Sequence, residues 1–202
     1  MTWVGMAFIA FLCGSLPFSV WLGKLFVGVD VRQYGDGNPG SANVFRAGNK
    51  VVGLVALLLD VAKGAAPVGL CYYNLGIRGI PMYLIAIAPI LGHVFSPFLK
   101  FHGGKAIAVS LGVWIGLTLW KASLVGVIFT VIGIAVITPP GWSVMLGMGA
   151  IFISLLIWMP DALLLAVWAS QTLILAWTHQ SDLRKKPQMR PWLVKRLSQN
   201  KK

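Results

Sequence analysis

The sequence predicts an all-α integral membrane protein of seven transmembrane helices, with its amino terminus outside and its carboxyl terminus in the cytoplasm. Three observations predict it. Of the 202 residues, 57% are hydrophobic and 11% charged, and a mean hydropathy of +0.80 is too high for a water-soluble domain whose polar surface must cover its core. The apolar residues fall into runs separated by short polar interruptions, and a helix needs about 20 mainly apolar residues to cross a hydrocarbon layer roughly 30 Å thick. The cations are distributed unevenly between alternate interruptions, which sets the orientation.

The spans are expected from Trp3 to Phe26, Val51 to Tyr73, Ile80 to Leu99, Ala106 to Trp120, Ala122 to Thr138, Trp142 to Trp158, and Ala162 to Thr178. In the first, no cation precedes Lys24, so the run lacks the positive region of a cleaved signal and is expected to stay in the mature protein. The second carries Asp60 and Lys63 at i, i+3, read as structural, pairing with each other or with polar groups in the bundle. The third ends at Lys100 with His93 near its end. In the fourth, Gly112 and Gly116 have the spacing of close helix packing. Spans four to six are short, and only Lys121 separates the fourth from the fifth. The sixth follows the break Pro139-Pro140-Gly141, and the seventh ends before His179. Continuous apolar runs such as Leu163 to Val167 exclude the alternating segments of a β-barrel.

With seven spans, one set of connections holds Lys24, Arg32, Arg46, Lys50, Lys100, Lys105 and eight cations after Leu183, while the other holds Arg78 and Lys121. The richer side is the cytoplasm. Trp3, Trp120 and Trp158 then mark outer ends, and Trp21, Trp142 and Trp177 inner ends, as an aromatic belt requires. Residues 1–182 make one membrane domain without internal repeat, and 183–202 a basic cytoplasmic tail suited to anionic lipid. The pI of 10.2 reflects these membrane flanks and excludes a nucleic-acid surface. Cys13 and Cys71 lie inside apolar spans without paired spacing and read as buried thiols.

Two cytoplasmic connections concentrate the polar chemistry. In the first, Gly35, Gly37 and Gly40 permit tight turns and close backbone approach, Pro39 stiffens them, and Asn38, Ser41 and Asn43 supply donors and acceptors. A helix starting near Ser41 places Asn43 and Arg46 on one side, and Ser41 can equally be its N-cap. In the second, Gly103-Gly104-Lys105 leads into the fourth span, where a helix N-terminus adds partial positive charge. Both suit anion binding, although any cytoplasmic loop is basic and contains glycine. Ser143 either caps the sixth helix or binds substrate. Asp30 and Asp36, six apart, fall short of a Mg²⁺ site. No metal is expected.

This combination resembles a family, the bacterial membrane glycerol-3-phosphate acyltransferases that use acyl phosphate (the PlsY family). The resemblance covers nearly the whole chain. It rests on Gly35-Asp36-Gly37-Asn38-Pro39-Gly40-Ser41-Ala42-Asn43 with Arg46, and on Gly92-His93 followed by Phe101-His102-Gly103-Gly104-Lys105. Asp60, Lys63, Gly64 and Ser143 also occupy familiar places. The third motif departs: Asp182 stands where the family shows Asn after the His, Gly141 and Trp142 precede Ser143 where Arg is usual, and the chain contains no Glu.

The resemblance implies transfer of a fatty acyl group from acyl phosphate to the 1-hydroxyl of sn-glycerol 3-phosphate, giving lysophosphatidic acid and phosphate in phospholipid synthesis. The enzyme would work in the bacterial inner membrane, with its active site facing the cytoplasm, without a cofactor, and with a soluble acyl-phosphate synthase as partner. Gly37, Asn38, Gly40, Ser41, Arg46, Gly103, Gly104 and Lys105 are expected to bind substrate phosphate. Asn43, His93, Ser143 and Asp182 are the expected catalytic residues, with Arg184 or Lys185 neutralising Asp182. The alternatives are a transporter of a phosphorylated metabolite or lipid, disfavoured because the polar motifs gather at one face, and a catalytically degenerate family member.

Overall fold

The first helix shows how proline sets boundaries that hydropathy does not. In the computed structural model, which describes residues 2–199, α1 (Trp3–Ser15) starts where the Thr2 hydroxyl accepts the Gly5 N–H. It stops before Pro17, which has no N–H to donate and disfavours helical backbone in the residue before it. α2 (Phe18–Leu22) resumes the helix and widens into a π-turn, Gly23–Val27, that closes at Gly28 with φ 73°. The expected first span is therefore a broken helix.

The chain divides after Trp120 into two compact units. The first continues with the short α3 (Ser41–Arg46) and with α4 (Lys50–Gly69), which Asn49 caps by accepting the Val52 N–H and which runs on as a π-turn to Asn74. α5 (Gly79–Val94) and α6 (Ile107–Thr118) complete it. α1 packs along α5 and α4 along α6. Both contacts need missing side chains: a Cβ at Gly92 would lie 2.1 Å from the Phe11 carbonyl oxygen, and one at Gly112 2.0 Å from that of Val61. Small residues let helix backbones touch where lipid supplies no hydrophobic drive between helices.

α4 is inside out by the standards of a soluble protein. It buries Gly53, Ala56, Asp60, Lys63 and Gly64 and exposes Val51, Leu54 and Leu58. Its buried charges pair as the i, i+3 spacing predicts, Lys63 Nζ donating to Asp60 Oδ1 at 2.6 Å. Lys63 also donates to the Leu16 carbonyl at 2.8 Å, the Ser19 hydroxyl donates to Asp60 Oδ2 at 2.8 Å, and the Ser96 hydroxyl to the Ser15 carbonyl at 2.6 Å. The carbonyls freed by the proline break are thus satisfied by side chains from α4 and from the segment after α5, as a water-free interior requires.

In the second unit α7 (Lys121–Val136) packs on α8 (Gly141–Trp158), and α8 on α9 (Ala162–Thr178). A short α10 (Gln180–Leu183) follows. Four helical stretches, Trp3–Val27, Lys50–Asn74, Gly79–Leu99 and Gly141–Trp158, are long and apolar enough to cross a membrane; Ile107–Thr118, Lys121–Val136 and Ala162–Thr178 are apolar but shorter.

The region read as a basic tail carries structure of its own. β1 (Ile137–Thr138) pairs antiparallel with β2 (Gln188–Met189), with Ile137 opposite Met189. α11 (Pro191–Gln199) follows, and its Trp192 Nε1 donates to the Ala135 carbonyl at 3.0 Å. Asn200, Lys201 and Lys202 lie outside the described residues.

Candidate active site

Two polar connections of the first unit close on one another. The first turns at Gly35 and Gly37, with φ of 58° and 74°, and enters α3 through Gly40, which occupies the N-cap position without a capping side chain. Ser41 is the first helical residue and not the cap. One turn of α3 places Asn43 and Arg46 together: Arg46 Nη1 donates to Asn43 Oδ1 at 2.6 Å. The buried Asn43 amide donates in turn to the Asn38 carbonyl at 2.9 Å and to Asp36 Oδ1 at 3.2 Å. Every polar atom of Asn43 is engaged. Gly35 makes room for this cluster, since a Cβ there would lie 2.4 Å from Asn43 Oδ1.

The second connection reaches the cluster through Lys105. Its backbone N–H donates to Asn38 Oδ1 at 3.1 Å, and its Nζ lies 2.9 Å from Asp36 Oδ2. Arg46 Nη1 lies 3.7 Å from the other Asp36 oxygen. A single carboxylate therefore sits between the guanidinium of one loop and the ammonium of the other. Partial burial alone would raise the Asp36 carboxyl, but the hydrogen bond and charge of Lys105, with donors from Asn38 and Asn43, outweigh it and hold the group below its ordinary range.

Gly103 and Gly104 act differently from the sequence expectation. Their N–H groups donate to the carbonyls of Val94 and His93, at 3.0 and 3.1 Å, because the last carbonyls of α5 lack intrahelical partners. The Gly37 N–H is likewise taken, by the Tyr34 carbonyl at 3.0 Å. What the glycine pair supplies is proximity: a Cβ at Gly104 would lie 2.3 Å from His93 Nε2. His93, buried in the last turn of α5, is in contact with the loop that carries Lys105.

The second unit holds the other two predicted residues. Asp182 Oδ2 accepts the Gly141 N–H at 3.0 Å, a carboxylate at the N-terminus of α8 where the helix dipole favours it. This bond, and no ion pair with Arg184 or Lys185 among the described residues, is what engages Asp182. Ser143, in the first turn of α8, is fully buried, and its hydroxyl has no hydrogen-bond partner among the described residues. The N-cap position belongs to Pro140, so Ser143 does not cap the helix. His179 is buried with Nδ1 2.8 Å from the Leu175 carbonyl.

Asp36 is the residue that sequence reading missed. Given no role beyond its place in the first motif and half of a poor metal site with Asp30, it is instead the hub of the cation pair. Asp30 is engaged separately, by both the Nε and Nη2 of Arg32 at 2.9 and 2.6 Å, and that fork holds its carboxyl far below the ordinary range. A signal for Asp36 existed: it is the single acid between Arg32 and Arg46.

Known proteins resemble this chain. Residues 4–187 match the family model described as glycerol-3-phosphate acyltransferase. A glycerol-3-phosphate acyltransferase of Aromatoleum aromaticum is 37% identical over 188 residues, covering 87% of this chain and 88% of the relative. Glycerol-3-phosphate acyltransferase 1 of Thermotoga maritima is 45% identical over 120 residues, 58% of each chain. Crystal structures of PlsY (YgiH), an integral membrane glycerol 3-phosphate acyltransferase, in glycerol 3-phosphate and lysophosphatidic acid forms, superpose with a TM-score of 0.80 at 26% identity, covering 89% of this chain and 88% of theirs. With the match extending from the first helix through the third motif, the chain belongs to the glycerol-3-phosphate acyltransferase family, as an integral membrane acyltransferase of the PlsY type.

Proposed function

We propose that the enzyme transfers a fatty acyl group from acyl phosphate to the 1-hydroxyl of sn-glycerol 3-phosphate, releasing lysophosphatidic acid and inorganic phosphate. The observation that carries this reading is the convergence of Arg46 and Lys105, from two loops, on one carboxylate. A clamp that holds the two oxygens of Asp36 is chemically suited to hold phosphate oxygens. The glycerol 3-phosphate and lysophosphatidic acid forms of the structural neighbour support the acceptor and the product.

In the proposed reaction the acceptor hydroxyl oxygen bonds to the acyl carbonyl carbon. The bond from that carbon to the phosphate oxygen breaks, the phosphate departs with the electron pair, and the proton lost by the hydroxyl ends on that phosphate. A mixed anhydride already has a good leaving group, so holding the reactants together and stabilising charge on the phosphate supplies the catalysis without an enzyme nucleophile. Arg46 and Lys105 hold phosphate, with the loop from Gly37 to Ser41 shaping the floor. Asn43 orients Arg46. His93, Ser143 and Asp182 orient glycerol phosphate. Asp36, its carboxyl held low by Lys105, is a weak base, and its part is to occupy the cations until substrate arrives.

The same reading takes seven spans, an outside amino terminus and a cytoplasmic site in the bacterial inner membrane, on the strength of the cation asymmetry. A soluble acyl-phosphate synthase then supplies the donor from the same side. The test is a product assay on purified protein in lipid. Phosphate and lysophosphatidic acid should form from acyl phosphate without added metal, and acyl-CoA should be a poor donor. Equal rates with acyl-CoA would overturn the donor, and glycerol phosphate uptake into liposomes without acyl product would support a transporter.

A further inference from the structure

Besides the Arg46–Lys105 clamp, the first unit has a second cationic recess that shares no residue with it. A cavity of about 340 Å³ opens between the end of the first helical stretch and the segment after α5, lined by Lys24, Arg32 and Lys100 together with Trp21 and Phe98. The two rings meet edge to face at 5.8 Å and form its apolar wall. Among the described residues Asp30 is the one acid in contact with these cations: it holds Arg32 at 2.6 Å and lies 3.7 Å from Lys24. The Lys100 ammonium has no ion-pair or hydrogen-bond partner among the described residues. Three cations against one carboxylate leave the recess with a charge of +2.

Its place in the fold gives the charge a meaning. The stretches Trp3–Val27 and Gly79–Leu99, both long and apolar enough to cross a membrane, end beside this cavity. Leu25 and Phe26, next to Lys24, are 74% and 62% exposed. A molecule seated here meets cations at one end and aromatic and aliphatic surface at the other. Aromatic rings at the end of a span are at home where acyl chains meet head groups.

We infer that this recess binds the phosphate head of an anionic bilayer lipid, with Trp21 and Phe98 flanking the start of its acyl chains. Lys100 and Lys24 supply the attraction, while Arg32, locked in its fork with Asp30, shapes the wall. The inference stands apart from the transfer reaction, because it concerns residues outside the clamp.

The experiment uses full-length protein in phosphatidylcholine bilayers doped with brominated phosphatidylglycerol or, in parallel, brominated phosphatidylcholine. The fluorescence lost on going to Trp21→Phe isolates the Trp21 signal from that of the other tryptophans. Brominated phosphatidylglycerol should quench this signal more than brominated phosphatidylcholine at the same mole fraction. Lys24→Gln and Lys100→Gln should each lower the preference about fivefold, as removal of one surface cation does. Both side chains are exposed, so either substitution alone decides if the other impairs folding. Equal quenching by the two lipids, or an undiminished preference in both variants, would overturn the inference. Abolition of the preference by inorganic phosphate would also overturn it, by showing a site for the free ion.

Discussion

Replacing Asp36 by asparagine separates two roles of one side chain. Asparagine keeps an oxygen to accept from the Asn43 amide and the Asn38 N–H, at 3.2 and 3.3 Å, but removes the charge that faces Lys105 at 2.9 Å and Arg46 at 3.7 Å. At the dielectric of water those attractions are about 1.4 and 1.1 kcal/mol. The Asp36 side chain is 42% exposed, so competition with water and salt leaves about 0.2 to 1 kcal/mol per pair. A substrate phosphate that takes over both cations displaces this carboxylate, so KM for that substrate should fall roughly fivefold, equivalent to about 1 kcal/mol. The kcat should stay within about threefold of wild type, since no atom that meets the reacting bond is lost.

The assay is steady-state phosphate release with each substrate varied in turn, and the substrate whose KM responds is the one held in the clamp. The pH dependence supplies a control. A carboxyl whose folded pKa lies below its ordinary value favours its bound state fully above the ordinary value near 4, and that contribution is lost as pH falls through the folded pKa. Binding of a labelled phosphate substrate should therefore converge between wild type and variant only as pH falls through the folded pKa of Asp36, which lies below the ordinary value near 4. A KM that rises in Asp36→Asn would refute the reasoning and make the carboxylate a builder of the clamp instead of its occupant.

Arg46→Lys should lower kcat/KM roughly ten- to a hundredfold despite keeping the charge, because lysine lacks the planar fork that reaches Asn43 and phosphate together; wild-type kinetics would return Arg46 to a topology-setting role. Gly104→Ala puts a methyl group 2.3 Å from His93 Nε2, and overpacking of this kind costs about 1 to 3 kcal/mol. Activity should fall at least tenfold in protein that still extracts as a folded monodisperse species, and full activity would remove His93 from the site. Asp182→Ala strands the Gly141 N–H and should lower stability by about 1 kcal/mol, seen as a lower Tm in detergent, whereas Asp182→Asn retains the acceptor and the Tm. Asp182→Asn should also keep kcat, with KM for glycerol phosphate equal or lower; a hundredfold loss of kcat at full expression would make Asp182 a general base.

Hydropathy located the apolar helices well because lipid-facing surface is a property of composition, and the Ala162 to Thr178 segment came out with both expected ends. It was blind to Pro17, which breaks a run that stays apolar on both sides, and to the early end of α5 at Val94, five residues before the last apolar residue. The i, i+3 spacings of Asp60 with Lys63 and of Asn43 with Arg46 were legible because helical geometry makes them local. Asp36 meets Lys105 across 69 positions, a distance that no local pattern encodes. The glycines misled in a physical way: their presence indicates close approach, but not whether a ligand or the end of α5 is what approaches. β2 and α11 were hidden by the cations in and around them, which are equally at home on a basic tail without such elements.

The grip of α4 on the broken first helix bears on how such a chain enters a bilayer at all. Asp60 and Lys63 lie one turn apart on the same helix and reach each other without help from any other segment, so α4 can leave the insertion machinery as a neutral dipole instead of two separate charges, each costly in hydrocarbon. Before that, the first segment carries a Leu16 carbonyl whose helical donor, the Val20 N–H, is turned to the Pro17 carbonyl instead. Once α4 arrives, the lysine that already holds its own aspartate has protons left for that carbonyl. Assembly then runs in the order of synthesis: an interrupted helix waits in the membrane with an unmet acceptor, and the next long helix brings the donor.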